Sequence, residues 1–183
     1  MTPWISPWLI ATNPEEVSPV LRSKHPASVM VFGAVAGDGR VMPPHFVPAG
    51  LRIGANEYLT ILEEVLLPRM EQHYSPDQVV LVHDSALPHT AREVQDLLKR
   101  KIPKFVPKGK WPPHSPDPNP CDFWLWGVVE EKASDCHQTG VASLKLVIRR
   151  AMASISRDVA RCACAHFRRR VEQVKAAERG HME

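Results

Sequence analysis

Two aspartates stand where a chain could hold a divalent cation. Asp84 closes the run VVLVH, apolar and β-branched as a buried strand should be. Asp122 opens DFWLWGVVEEK, which reads as a helix behind the proline-rich stretch WPPHSPDPNPC. Thirty-seven residues lie between them (122 − 84 − 1), room for one crossover helix and a returning strand. A crossover of that kind brings both carboxylates to one edge of a sheet. Paired carboxylates there supply the hard oxygen ligands that Mg2+ prefers and that phosphoryl-transfer sites use.

The elements that must position this pair follow from periodicity and punctuation. Residues 1–12 carry two tryptophans and two prolines without a period, and 13–27 read as loop. Two β-prone runs, 28–36 and 40–47, flank Gly37-Asp38-Gly39, a strong hairpin signal that makes Asp38 a turn residue. Over 55–70, Tyr58, Ile61, Leu62, Val65 and Leu66 share one helical face; Asn56 and Glu57 favour its start, and Pro68 should limit its end. The run 78–83 fits a central strand buried on both faces. Residues 88–101 form the crossover helix, with Ala91, Val94, Leu97 and Leu98 inward; 102–106 return as a strand and 122–132 as a helix. Two further helices are striped by Leu144, Ile148, Ala151, Met152 and Ile155, and by Val159, Cys162, His166, Phe167, Val171 and Val174. Ser156 suits an N-cap between them, with Asp158 in the first turn. The order predicts an α/β domain: a mixed sheet with helices packed on it.

Composition sets bounds on function. At 183 residues, 44% apolar and 23% charged, the chain can bury one real core. A formal charge of +3 spreads no strong field over the whole molecule. No apolar run approaches the ~20 residues of a membrane helix, and MTPWISPWLIATNPEE makes a poor signal peptide. The four cysteines lack CxxC spacing. In CACAH, Cys162 and Cys164 would point about 200° apart on a helix and could not share a metal. Reduced thiols and an intracellular location are the expectation.

The motifs also carry a resemblance. HDSALPHTA and WPPHSPDPNPCDFWLWG resemble the second and third acidic motifs of mariner-type cut-and-paste transposases of the DDE/D superfamily. SKHPASVMVFGAVAGDGRVMPPHFVPAG is similar to the hairpin before the metal site, and FRRRVEQVKAAERGHME to the C-terminal end. The resemblance implies a ribonuclease H-like fold arranged as an irregular segment 1–27, a truncated catalytic domain 28–135 and a C-terminal helical extension 136–183. It further implies DNA cleavage and strand transfer supported by Mg2+ or Mn2+, with Asp84 and Asp122 as catalytic and metal-holding residues. His89, Trp111, Ser115, Pro116, Asp117, Asn119 and Pro120 become supporting motif positions, Asp117 by its loop setting a turn former. DNA as partner, a homodimer and a nuclear location are implied in the same way.

One departure from the family pattern bears on activity. The family's first catalytic aspartate sits on a strand ahead of the hairpin, whereas no aspartate precedes Asp38 here and residues up to 27 show no convincing strand. Glu15, Glu16 and Asp77 are poor substitutes. The expectation is a fold lacking its first strand, an exposed edge at 28–36 that invites association, weak metal binding and impaired catalysis. Two other readings stay open: a domesticated or relic ribonuclease H-like module that binds DNA or protein without catalysis, and an unrelated nuclease working with two acids.

Several side chains could serve DNA. Lys99, Arg100, Lys101, Lys104, Lys108 and Lys110 precede the third-motif loop and could neutralise phosphates. Arg157, Arg161, Arg168 and Lys175 form a stripe that equally suits a solvated face. Trp111, Trp124 and Trp126 could stack on bases or fill core. His89 could orient a phosphate, cap the crossover helix or sit as a satisfied, partly buried histidine; His83 carries no expected role.

Overall fold

The computed structural model describes residues 27–111, 118–134 and 140–176. The hairpin forms as expected, but its ladder is short. Strand β1 (Val31–Phe32) pairs antiparallel with β2 (His45–Phe46), Val31 opposite Phe46 and Phe32 opposite His45, and a separate bridge joins Val35 to Val41. Between those pairs the register slips by one residue on the second strand, where Pro43 and Pro44 lie. Proline has no N–H to give the ladder, so a bulge there replaces the continuous strands expected over 28–36 and 40–47.

Alternation along the hairpin buries both of its faces. Val29, Val31, Val41 and Phe46 pack on one core around Leu125, Val129, Ile148 and Met152. Phe32, Ala34 and Met42 pack on the other, around Tyr58, Leu62, Val94 and Leu98. The hairpin is therefore the middle layer between two sets of helices, which is how period-two apolar runs find cover on both sides. Gly33 is the close-packed point, since a Cβ there would come within 3.0 Å of the Trp126 ring.

The first helix starts at Gly54, whose N–H donates to Glu57 Oε2 at 2.9 Å. It runs through α1 (Ala55–Ile61), a π-helical turn (Leu62–Leu66) and α2 (Leu67–Glu71). Pro68 thus sits inside the helix rather than limiting it. The Leu67 N–H reaches back to Leu62, and this wider turn relieves the clash a proline ring makes with the carbonyl four residues earlier.

The expected central strand 78–83 is also corrected. A short 3-10 turn (Pro76–Gln78) leads to one parallel bridge, Leu81 with Phe105; Leu81 donates to the Lys104 carbonyl at 3.0 Å and Val106 to that of Leu81 at 2.9 Å. Val80 is 60% exposed, so this strand is covered on one side only. Among the described residues the ladder is therefore a two-stranded antiparallel hairpin with a separate parallel bridge, in place of the continuous mixed sheet expected.

Helix α3 spans Arg92–Lys101 and buries Val94, Leu97 and Leu98. It begins four residues later than expected because 86–90 form a turn, with Thr90 Oγ1 bonded to the Leu87 carbonyl. After Pro120 come a π-helical turn (Cys121–Leu125) and α4 (Trp126–Ser134), then α5 (Val141–Ala153), which buries Ile148, Ala151 and Met152.

The last expected helix is two. Helices α6 (Arg157–Ala165) and α7 (Phe167–Ala176) break at His166. The inward face of α6 is Ala160 and Ala163; Val159 is 53% exposed, and Cys162 and His166 also face solvent. Small residues are buried because α6 approaches the hairpin backbone closely: Cys164 Sγ lies 3.6 Å from the Ala36 carbonyl. Ser156 holds the N-cap position in extended backbone without a side-chain bond, and Asp158 pairs with Arg161 at 2.8 Å. Helix α7 is pinned by Phe167 stacked near Trp111 and by Arg170 over the Phe123 ring, 4.0 Å from its centroid.

Candidate functional site

Asp84 lies three residues past the Leu81 bridge, at the mouth of the turn that leads into α3. Two donors converge on one of its oxygens. His89 Nδ1 stands 2.6 Å from Oδ1, and the Ala86 N–H donates to the same oxygen at 3.0 Å. A carboxylate can only accept, so Nδ1 is the protonated ring nitrogen. The His89 bond, then the Ala86 amide, outweigh burial and hold the Asp84 carboxyl below its ordinary range.

Asp122 is the second residue of the Cys121–Leu125 turn. Its N–H and that of Phe123 donate to the Asn119 carbonyl at 2.9 and 3.1 Å, and Asn119 Oδ1 accepts the Cys121 N–H at 3.0 Å. Asn119 is therefore the side chain that turns the proline-rich stretch into a helix, with Pro120 in the first turn where a missing N–H costs nothing. Although Asp122 reaches solvent, crowding by surrounding protein atoms and then the Asp84 charge raise its carboxyl; an Asn119 hydrogen bond only partly offsets them. Asp122 thus senses the Asp84 charge. No lysine or arginine among the described residues ion-pairs with either, and no set of three or more His, Cys, Asp or Glu is gathered there to hold a metal.

Behind Asp84 is a stack of rings. His89 lies between Tyr58, centroids 4.3 Å apart, and His83, 5.0 Å apart and nearly parallel. His83 Nδ1 is buried without a partner, and burial, then the neighbouring His89, push His83 down to about 4. His89 does not cap α3, whose N-cap is Ala91. Its carbonyl instead accepts from Gln95 Nε2 at 2.9 Å, while Gln95 Oε1 accepts the Lys108 N–H at 2.9 Å. Gln95 is the buried polar residue of the core, and it ties the Asp84 turn to the lysine-rich loop. No sequence motif pointed to Tyr58 or Gln95; a glutamine on the inward stripe of the crossover helix was the available signal.

The basic residues Lys99, Arg100, Lys101, Lys104, Lys108 and Lys110 are all exposed. Lys99 leans on Asp96 at 3.5 Å, and Lys104 Nζ donates to the Asp77 carbonyl at 3.0 Å. Of the alternative stripe, Arg157, Arg161 and Arg168 are engaged with Asp38, Asp158 and Glu172. Trp111 is 6% exposed against Phe167, and Trp124 packs on the α4–α5 core, so base stacking gives way to packing for both. Ser115, Pro116 and Asp117 lie outside the described residues. Cys121, Cys162 and Cys164 are free thiols; burial first, with nearby charges, pushes Cys121 up to about 12, an inert thiol.

Hairpin, parallel bridge and flanking helices, with one acid past the bridge and one at a helix start, define a ribonuclease H-like α/β domain. Solved structures carry the same fold. The Mos1 transposase catalytic domain with raltegravir and Mn aligns over 86% of this chain and 78% of its own, at 22% identity and a TM-score of 0.74. The catalytic domain of Mos1 mariner transposase aligns over 89% and 80%, at 21% identity and 0.71. The Mos1 paired-end complex with left transposon end covers the whole chain at 20% identity and 0.76, yet only 52% of that transposase is spanned. No protein-family model and no curated protein sequence matches the chain. At such identities the likeness is one of fold, and it is the fold the acidic motifs implied.

Proposed function

We propose that this chain is a transposase-type DNA-processing domain that binds DNA through its lysine-rich edge and holds one divalent cation between Asp84 and Asp122. The observation that supports the reading is that Asp122 lies near enough to Asp84 for the Asp84 charge to raise its carboxyl, with no lysine or arginine ion-paired to either among the described residues, on a fold shared with the Mos1 catalytic domain. The donor set fits a hard cation. Carboxylate oxygens suit Mg2+ or Mn2+, and such an ion would relieve the repulsion that the Asp84 charge puts on Asp122. When bound, the ion would polarise a phosphodiester and favour an oxygen nucleophile.

The protein's own part is positioning. Asp84 is fixed by His89 and Ala86, Asp122 by the Asn119 turn. Lys108 is joined to Gln95, which also holds the His89 carbonyl, so a phosphate backbone lying along the lysine-rich segment is referenced to the Asp84 turn. Two acids secure one ion better than two, so DNA binding outlasts efficient cleavage, and strand scission runs far below that of a three-acid site. The domain works in the nucleus and as a homodimer.

The test pairs binding with chemistry. Purified protein should bind duplex DNA with little sequence preference and lose affinity steeply between about 50 and 200 mM salt, roughly a factor of ten for every two phosphate contacts. Mn2+ affinity should collapse in Asp84→Ala and Asp122→Ala. Mn2+ binding indifferent to both substitutions, or DNA affinity indifferent to salt, would sink the proposal.

A further inference from the structure

We infer that His89 is the positioning residue of the candidate cation site, fixing Asp84 through Oδ1 so that Oδ2 is the oxygen left for a ligand. The inference rests on the Asp84–Asp122 site proposed above. Both observed donors, His89 Nδ1 at 2.6 Å and the Ala86 amide at 3.0 Å, take the same oxygen. A carboxylate held at one oxygen cannot rotate freely, and it meets a cation with the other oxygen alone. That is the single-oxygen mode that octahedral Mg2+ geometry accepts more readily than a chelating one.

His89 is itself held at four points, two on its ring and two on its backbone. Tyr58, 4% exposed, covers one face and His83 the other. Gln95 holds the backbone carbonyl, and the Ala86 carbonyl accepts the His89 N–H at 2.9 Å. His83 Nδ1 is left unsatisfied where stacking places it, which fits a side chain used for the position of its ring rather than for its hydrogen bonds. Hydrogen-bonded partners behind a ligating carboxylate orient it, and their loss weakens metal binding about 10- to 100-fold.

Which ring nitrogen acts is what makes the inference testable. The amide nitrogen of asparagine falls near the place of Nδ1, and that of glutamine near Nε2. Mn2+ titrations followed by electron paramagnetic resonance on the full chain should show His89→Asn close to the parent and His89→Gln weakened about 10- to 100-fold. Melting temperatures taken in EDTA monitor the fold, and the Asn–Gln difference is read between variants that melt together. If Asp84→Asn abolishes Mn2+ binding while His89→Gln leaves it intact, the positioning role is overturned and the cation site stands. Equal weakening in both His89 variants would reduce the residue to packing and overturn the role as well. Mn2+ binding that survives Asp84→Asn would overturn both the role and the site.

Discussion

Asp38 and Asp84 both sit at turns, and their surroundings differ in the way that separates a latch from a working group. Asp38 is met by three donors' side chains: Arg40, Tyr74 at 2.9 Å and Arg157 at 2.8 Å. Burial pulls its carboxyl upward, yet the Arg40 amide, Tyr74 hydroxyl and two guanidiniums win and hold it low. Arg157 opens α6, so Asp38 fastens the hairpin tip to the C-terminal helices across 119 residues. Asp84 has one imidazole and one amide, and its charge helps raise the carboxyl of a second acid, Asp122. A carboxylate with its charge cancelled is holding the protein together. A carboxyl raised by a neighbouring acid, with no lysine or arginine ion-paired to it among the described residues, is available to something else.

The largest effect expected is at the latch. Gly39 has φ of +89, and a Cβ there would overlap the Arg157 carbonyl backbone. Gly39→Ala should cost on the order of 3 kcal/mol, read as a lowered denaturation midpoint with unchanged slope. Parent-like stability in that variant would mean that the hairpin tip and α6 are not fastened as described.

Next come two substitutions of opposite sign. Asp38 has a lowered carboxyl, so its stabilisation is full above about 3.8 and lost as pH falls through its lowered folded value. Asp122 has a raised carboxyl, so its ionised form destabilises the fold above that raised value, and the penalty disappears below about 3.8, where both states are protonated. In EDTA at neutral pH, Asp38→Asn should lower the melting temperature, through a stability loss of about 1 kcal/mol given the partial exposure of the pair members. Asp122→Asn should raise it by a smaller amount, while Mn2+ binding is lost. The Asp122 difference should vanish in melts below about pH 3.8, and the Asp38 difference only at lower pH, once its lowered folded value has been passed. The same sign for the two variants at neutral pH would dissolve the distinction between latch and site.

A third effect concerns what the site faces. Lys104 and Lys108 are exposed, Lys104 donating to the Asp77 carbonyl and Lys108 joined through its N–H to Gln95. Replacing both with glutamine should reduce the slope of log affinity for DNA against log salt by about two. Stability should move by less than about 0.5 kcal/mol. An unchanged slope would place the phosphate path elsewhere.

Much of this comparison was legible in the residues. Asp84 and Asp122 were marked by what precedes them, a β-branched run and a proline-rich stretch, and the Gly37-Asp38-Gly39 turn by its glycines. What was hidden lay in contacts without a local sequence signal. Asp38 reads as a turn former whether or not an arginine 119 residues away meets it. Tyr58 reads as one more apolar position on a helix, yet it is half of the clamp on His89. The inward face of α6 was misjudged because side-chain apolarity favoured Val159 and Cys162, whereas the close approach to Ala36 selects Ala160 and Ala163. Pro68 looked like a terminator because periodicity cannot show a π-helical turn that makes room for it.

The smallest effect sharpens the contrast most economically. Leu87 sits at the tip of the Asp84 turn and is 87% exposed, the most exposed of the large apolar side chains among the described residues. Its backbone is used, since the carbonyl accepts Thr90 Oγ1 at 3.1 Å, but its side chain buries almost nothing. Leu87→Ser should therefore leave the melting temperature within the span of about 0.5 kcal/mol that typifies surface changes, and the His89–Asp84 geometry should persist with it. Turn for turn, the tip at Gly39 admits no added atom while the tip at Leu87 tolerates losing a whole side chain. A clear destabilisation by Leu87→Ser would show that the Asp84 turn is also packed from its outer side, and the two turns would then differ in charge compensation but not in the freedom of their tips.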